Sequence, residues 1–501
     1  MQMTLVTDYL DETARKYPEK IAFANDKRQM TFRQLRQEAR KIARGIIQED
    51  IFRQPVVVFL EKSPECVAAF MGAAYSGNFY TPLDTHMPMQ RVEKIMQTLQ
   101  PALIITDEIH RDSAALFSDD AKVLLYEELL QQDINDETVD TVSRKVTDAD
   151  VLYVLFTSGS TGTPKGVIIP QRSVIDYTEW FVHEFQITEK DTLGNQAPLY
   201  FDLSIQDVYA TLKSGCTTYL IEKEKFAFPI QLMEYLNEKR INVIMWVPSA
   251  LCLVANLKAL RAEKLPALRM VLFCGEVMPN KQLNAWRKVF TKTTFVNLYG
   301  PSETCDASTY YVVDRAFADD EALPIGYPCR NTDIILLNEA NELVKGDEVG
   351  ELCIRGTSLS YGYYQDQEKT AAAFVQNPLN DCYPELIYRT GDLVKYNKYG
   401  ELEYISRKDF QIKHMGHRIE LGEIETAVSS IDGVERCCCV YDDRRSKIVL
   451  FYTGNVDGHE IIQQLKRLIP DYMLPNRKIQ LDDMPFNLNG KIDRAALKAK
   501  L

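Results

Sequence analysis

Through its first four hundred residues the chain alternates short, β-branched apolar runs with stretches of helical periodicity. That alternation restricts it to largely parallel sheets with helices packed on their faces. The runs are Pro55–Leu60, Ala102–Thr106, Val151–Phe156, Val243–Trp246 and Met270–Phe273, with a helix expected near Cys66–Ala74. From Ile325 the pattern changes to short strands broken by Gly and Asn, at Thr332–Leu337, Glu351–Arg355, Leu393–Tyr396 and Leu402–Ile405, which predicts a small β-barrel-like subdomain. After Ser406-Arg407-Lys408-Asp409 comes a separate α+β segment, with helices near Glu420 and over Glu460–Leu468 and strands around Arg436–Tyr441 and Lys447–Tyr452. The chain is read as α/β. Residues 1–405 form an N-terminal core (two parallel-type sheets over 1–324, the β-rich subdomain over 325–405) and residues 406–501 a small α+β C-terminal domain.

Composition removes several classes of function. The net charge of −13 leaves no electrostatic footprint for nucleic acid, although residues 406–501 carry +2 against −15 elsewhere. No apolar run approaches the ~18 residues that span a bilayer, and the first residues lack the basic start and apolar stretch of a secretory signal, so a cytoplasmic protein without membrane insertion is expected. The eleven cysteines are scattered, and Cys437-Cys438-Cys439 offers no spaced pairs for zinc; it reads as a buried strand with reduced thiols.

The strongest local signal directly follows the apolar strand Val151–Leu155: Phe156-Thr157-Ser158-Gly159-Ser160-Thr161-Gly162-Thr163-Pro164-Lys165-Gly166. Glycines let a backbone approach an anion, while the hydroxyls and Lys165 supply donors for phosphate oxygens. Pro164 before Lys165 and Gly166 after it exclude a Walker A loop, which ends in Gly-Lys-Ser/Thr. A flexible linker is the ordinary alternative, but linkers seldom follow a buried strand so abruptly.

With this loop the chain resembles the adenylate-forming superfamily of acyl-CoA synthetases, luciferases and adenylation domains. Further resemblances follow in order: Asn297-Leu298-Tyr299-Gly300-Pro301-Ser302-Glu303-Thr304, Glu351–Tyr364, Tyr388-Arg389-Thr390-Gly391-Asp392, Arg407–Glu425, and Asn489-Gly490-Lys491-Ile492-Asp493-Arg494. The resemblance implies ATP and Mg²⁺ as cofactors. It makes Lys491 the bridge between carboxylate, ribose and phosphate, and Glu303 the magnesium ligand. Asp392 and Arg407 would hold the ribose and phosphates, and Thr157, Ser158, Gly159, Ser160, Thr161, Gly162 and Lys165 the phosphates. Tyr299 would stack on adenine with Gly275 and Glu276 across from it, and Asn297, Gly300 and Ser302 complete the nucleotide set. Asp409 matches the hinge about which the C-terminal domain of this superfamily rotates; Ser406 beside it stands where relatives usually carry Gly.

Asp202, in Phe201-Asp202-Leu203-Ser204, separates the branches of the family. The resemblance pairs it with a substrate α-ammonium, which fatty acids lack, and a buried cation needs such a partner; a helix N-cap is the local alternative. The implied pocket continues with Leu203, Gln206, Ser249, Leu272, Cys274, Leu298, Asp306 and Ala307. Leu272–Val277, Asn195–Pro198 and Asp409–Lys413 resemble the D-alanine:carrier protein ligase branch, in which Cys274 would crowd a small side chain. Gln206 and Asp306 are polar where a methyl prefers apolar walls; Asp306 either meets a substrate amine or hydroxyl or caps the following strand. Serine, β-alanine or a diamino acid therefore stay open as substrates beside D-alanine, and an acyl-CoA ligase or a nucleotide-binding regulator as other classes. No carrier segment follows the last motif, so the partner expected is a phosphopantetheinylated carrier protein in trans, loaded by a monomer.

Overall fold

The computed structural model describes residues 4–117, 121–133, 136–159, 162–486 and 492–501. They divide into two compact units, the larger formed by Met1–Thr85, Gln100–Leu155 and Val167–Lys408, the smaller by His86–Leu99, Phe156–Gly166 and Asp409–Leu501.

The larger unit is α/β. Its nine-stranded sheet has a parallel centre, in the order Thr294–Tyr299, Met270–Phe273, Val243–Trp246, Thr192–Asn195, Thr217–Leu220, Ile21–Ala24, with antiparallel strands at both edges. Val243–Trp246 and Met270–Phe273 are buried at every residue, as continuous apolar runs between two helical layers must be. A second sheet of six strands has Pro55–Phe59 and Phe79–Pro82 at its centre. Against it lies Pro64–Tyr75, an almost uniformly apolar helix buried along its length, started by Pro64 and capped by Ser63, whose hydroxyl accepts the Cys66 N–H at 3.3 Å.

The order of the nine-stranded sheet fixes where a ligand can enter. From Thr192–Asn195 the chain moves one way to Thr217–Leu220, then crosses back to Val243–Trp246 and continues outward in the other direction. Neighbouring connections therefore leave on opposite sides and open a crevice at the carboxyl ends of Thr192–Asn195 and Val243–Trp246.

The third sheet is the small β-rich subdomain expected from the sequence. It is antiparallel throughout: Thr332–Leu337, Gly350–Gly356, Leu386–Tyr396 and Phe374–Gln376, with Leu402–Arg407 also on Leu386–Tyr396. Leu386–Tyr396 is longer than the Leu393–Tyr396 expected. From Tyr388 to Lys395 buried residues alternate with half-buried ones, and Gly391, at φ +74°, sits where the register with Gly350–Gly356 shifts. Leu402–Arg407 also runs two residues past Ile405.

The smaller unit contains the helix Met89–Leu99, the hairpin Gln411–His414/His417–Glu420, the helix Leu421–Ser429 and a sheet of Val434–Asp442, Lys447–Gly454 and Arg477–Gln480. Cys437, Cys438 and Cys439 lie buried and unpaired in that sheet. Among the described residues no helix is long and apolar enough to cross a membrane.

Candidate active site

The loop leaving Thr192–Asn195 ends in a single 3₁₀ turn, Asp202–Ser204. There the Asp202 carboxylate accepts the Leu203 N–H at 2.8 Å and, through its other oxygen, the Ser302 hydroxyl. Beneath this loop lies Lys62, which the sequence did not single out. Its ammonium donates to the carbonyls of Asn195 (3.3 Å), Gln196 (3.0 Å) and Ile221 (2.9 Å), tying together the ends of two adjacent strands. Complete burial pulls its pKa down to about 7 against the opposing pull of Asp207 and Glu222.

A second group of residues follows Thr294–Tyr299. Gly300 has no alternative here: a Cβ would stand 1.7 Å from the Asp306 carbonyl oxygen. The turn Ser302–Thr304 then places Ser302 on Asp202 and buries Glu303 completely, with its carboxylate accepting from Tyr363 OH at 2.7 Å. Ser360 N–H holds the Glu303 carbonyl at 2.9 Å, so the segment Glu351–Tyr364 braces the turn twice.

The third sheet contributes by register. Asp392 and Arg407 are direct cross-strand partners, and the guanidinium donates to the carboxylate at 3.0 Å with both side chains nearly buried. Tyr299 OH donates to the other Asp392 oxygen. Burial, followed by the Asp392 charge, drives the Tyr299 phenol far above its usual pKa, so it remains a donor.

The expected pocket residues Leu203, Gln206, Leu272, Cys274, Leu298, Asp306 and Ala307 are all buried. Ser249 and Glu276 meet where Glu276 accepts the Ser249 N–H at 2.8 Å, a carboxylate at the N-terminus of the helix Pro248–Asn256. Gly275 beside it adopts φ +95°. Gln206 and Asp306 are joined through Tyr177, a residue the sequence reading passed over: its hydroxyl lies 2.9 Å from Gln206 Oε1 and 3.0 Å from Asp306 Oδ2. Asp306 thus has a side-chain partner within the protein, which neither sequence alternative included. Asn297 turns its amide to the Pro324 carbonyl at 2.8 Å.

In the smaller unit, Thr157 Oγ1 is buried with no hydrogen-bond partner, and Ser158 Oγ donates to the Arg418 carbonyl at 2.7 Å. The Gly159 N–H donates to the Glu423 carboxylate, which pairs with Arg91; both side chains are 4% exposed. Burial raises the Glu423 pKa, and Arg91 pulls it back. Lys94 Nζ holds the Gly162 carbonyl at 3.0 Å, and Lys165 begins the strand Lys165–Pro170. Asp409 accepts the Gln411 N–H at 3.1 Å. Ser160, Thr161 and Lys491 lie outside the described residues.

The carboxyl ends of parallel strands at a topological switch point are where α/β enzymes bind their ligands, and fold and site together define that class. The family model described as AMP-binding enzyme matches residues 10–364. The chain is 30% identical over 507 residues to D-alanine--D-alanyl carrier protein ligase of Lacticaseibacillus rhamnosus, covering 98% of each chain. It is 33% identical over 509 residues to the dimodular nonribosomal peptide synthase of Bacillus subtilis, covering 99% of this chain and 21% of that protein, and it spans 44% of tyrocidine synthase 1 of Brevibacillus parabrevis. The chain thus spans less than half the length of several curated relatives it matches. The adenylation domain AlmE of Vibrio cholerae, solved with glycyl-adenosine-5'-phosphate, shares the fold with a TM-score of 0.86 at 22% identity over 100% of this chain and 98% of that one. The chain belongs to the AMP-binding enzyme family, within the adenylate-forming superfamily that its motifs resemble.

Proposed function

We propose that the protein activates the carboxylate of a small amino acid, D-alanine by the pattern of its pocket, as an acyl-adenylate from ATP and Mg²⁺. It then passes the acyl group to the phosphopantetheine thiol of a separate carrier protein, acting as a cytoplasmic monomer of the acid–thiol ligase class. The observation that carries the reading is the Asp202–Ser302 hydrogen bond. It sets the carboxylate assigned to the α-ammonium beside Glu303, the buried carboxylate assigned to the metal.

In the first half-reaction a carboxylate oxygen bonds to the α-phosphorus and pyrophosphate leaves; in the second, the carrier sulfur attacks the acyl carbonyl and AMP leaves. Two anions meet in the first step, so the residues work by positioning and charge neutralisation. Asp202 orients the ammonium, and with it the carboxylate. Asp392 accepts from the ribose hydroxyls while Arg407 supplies a permanent cation. Gly275, Glu276, Asn297, Tyr299 and Gly300 border the adenine. Thr157, Ser158, Gly159, Gly162 and Lys165 take the phosphates. The orphaned Thr157 hydroxyl and the carboxylate already held by the Gly159 N–H both support an anion site there. The buried Glu303 carboxylate is an oxygen donor of the kind a hard cation such as Mg²⁺ takes, and a metal held there would neutralise phosphate charge. Lys491 bridges the reacting anions, and Asp409 is the pivot.

The L. rhamnosus relative supports D-alanine, and so does the Tyr177 network, which gives the polar walls partners of their own. Pyrophosphate exchange across D- and L-alanine, serine, β-alanine, diaminopropionate and a fatty acid tests the reading. D-alanine is expected to exchange fastest, and Lys491→Ala to abolish exchange while ATP still binds. Exchange with the fatty acid alone would reject amino-acid activation.

A further inference from the structure

Tyr177 belongs to the helix Gln171–Glu184, apart from the helix Ile205–Ser214 that carries Gln206 and from Asp306, which follows the turn Ser302–Thr304. Its hydroxyl nevertheless lies between them, at hydrogen-bond distance from both. Gln206 Nε2 is committed to the Leu203 carbonyl at 3.1 Å, which turns the Gln206 carbonyl oxygen toward the phenol. All three side chains are buried. Tyr177 therefore supplies one hydrogen to two buried acceptors, both among the residues assigned above to the amino-acid pocket.

Buried acceptors select for donors. A site presenting an amide oxygen and a carboxylate to a side chain would favour a hydroxyl or ammonium and reject a methyl, because the methyl leaves those acceptors desolvated. Burial and the Asp306 charge keep the phenol protonated far above neutrality, so its hydrogen is always present.

We propose that Tyr177 is a specificity-determining residue: by engaging Gln206 and Asp306 itself, it makes the pocket accept an apolar methyl side chain and refuse small donor-bearing side chains. The inference rests on amino-acid activation as proposed above. The ranking of substrates is thereby set from a helix outside the motif that carries Asp202.

The experiment is pyrophosphate exchange at saturating ATP with D-alanine, D-serine and D-diaminopropionate, using wild type, Tyr177→Phe and Gln206→Leu. Phenylalanine removes the hydrogen and keeps the ring, so kcat/KM for D-alanine should fall roughly tenfold. That for serine or diaminopropionate should rise, with the ATP KM unchanged. Gln206→Leu removes one acceptor and leaves the phenol to Asp306, so the preference for alanine over serine should sharpen. A uniform loss over all three substrates in Tyr177→Phe, or a weakened alanine preference in Gln206→Leu, overturns the inference while leaving amino-acid activation intact. Absence of exchange with every amino acid in wild type overturns the activation reading, and this inference with it.

Discussion

Asp202→Asn separates charge from shape. The asparagine keeps an oxygen for the Leu203 N–H and a polar partner for Ser302, so the loop should not move. What it loses is the negative charge proposed above to face the substrate ammonium. Two unit charges about 4 Å apart at an effective dielectric constant near 20 attract by about 4 kcal/mol. The hydrogen bond that the amide oxygen still offers returns about 1 kcal/mol of this. The remaining ~3 kcal/mol corresponds to about two decades in kcat/KM for the amino acid. The assay is exchange with D-alanine varied at saturating ATP, then ATP varied at saturating amino acid, with propionate as the ammonium-free control. The D-alanine term should drop about a hundredfold by the same arithmetic, the ATP KM should stay within about threefold, and propionate exchange should not fall. Equal increases in both KM values, or an equal loss with propionate, would refute the ammonium role.

Gly300→Ala places a methyl carbon 1.7 Å from the Asp306 carbonyl oxygen and 2.7 Å from its carbon, both backbone atoms, so the turn carrying Glu303 must shift. Exchange should fall on the order of a hundredfold, the usual cost of a 1 Å misplacement, with a folded circular-dichroism spectrum; wild-type rates would show that the turn relaxes freely. Lys62 titrates lower in the folded protein, near pH 7, than unfolded, because it is buried. The unfolded chain therefore binds the extra proton between about 7 and 10, and stability rises with pH across that window by up to roughly 1.4 kcal/mol per pH unit. Lys62→Met should flatten that slope in denaturant titrations at several pH values; an unchanged slope would mean the amine is not desolvated.

The alternation of apolar runs makes the parallel strands legible, and Val243–Trp246, Met270–Phe273 and Thr332–Leu337 coincide with the expected residues, each preceded by a polar residue (Asn242, Arg269, Asn331) that marks its start. Leu386–Tyr396 was read only at its end, since Arg389-Thr390-Gly391-Asp392 interrupts the apolar signal with residues that face Glu351 and Arg407. The motifs named Asp392 and Arg407 separately, and only the strand register shows them as one ion pair. Tyr177 and Lys62 were invisible for a different reason. A tyrosine among the aromatic residues of a core helix, or a lysine after an apolar strand, has no local mark, and their farthest partners, Asp306 and Ile221, lie 129 and 159 residues away in sequence.

The close approach of Gly300 to Asp306 has a practical meaning for anyone wishing to retune such an enzyme. Residue 306 shares one short backbone unit with Glu303, so a replacement there is transmitted to the assigned metal ligand and confounds selectivity with turnover. Tyr177 and Gln206 reach the same wall from two separate helices, and substitution at those positions leaves that unit's backbone alone. Redesign is best begun from the helices.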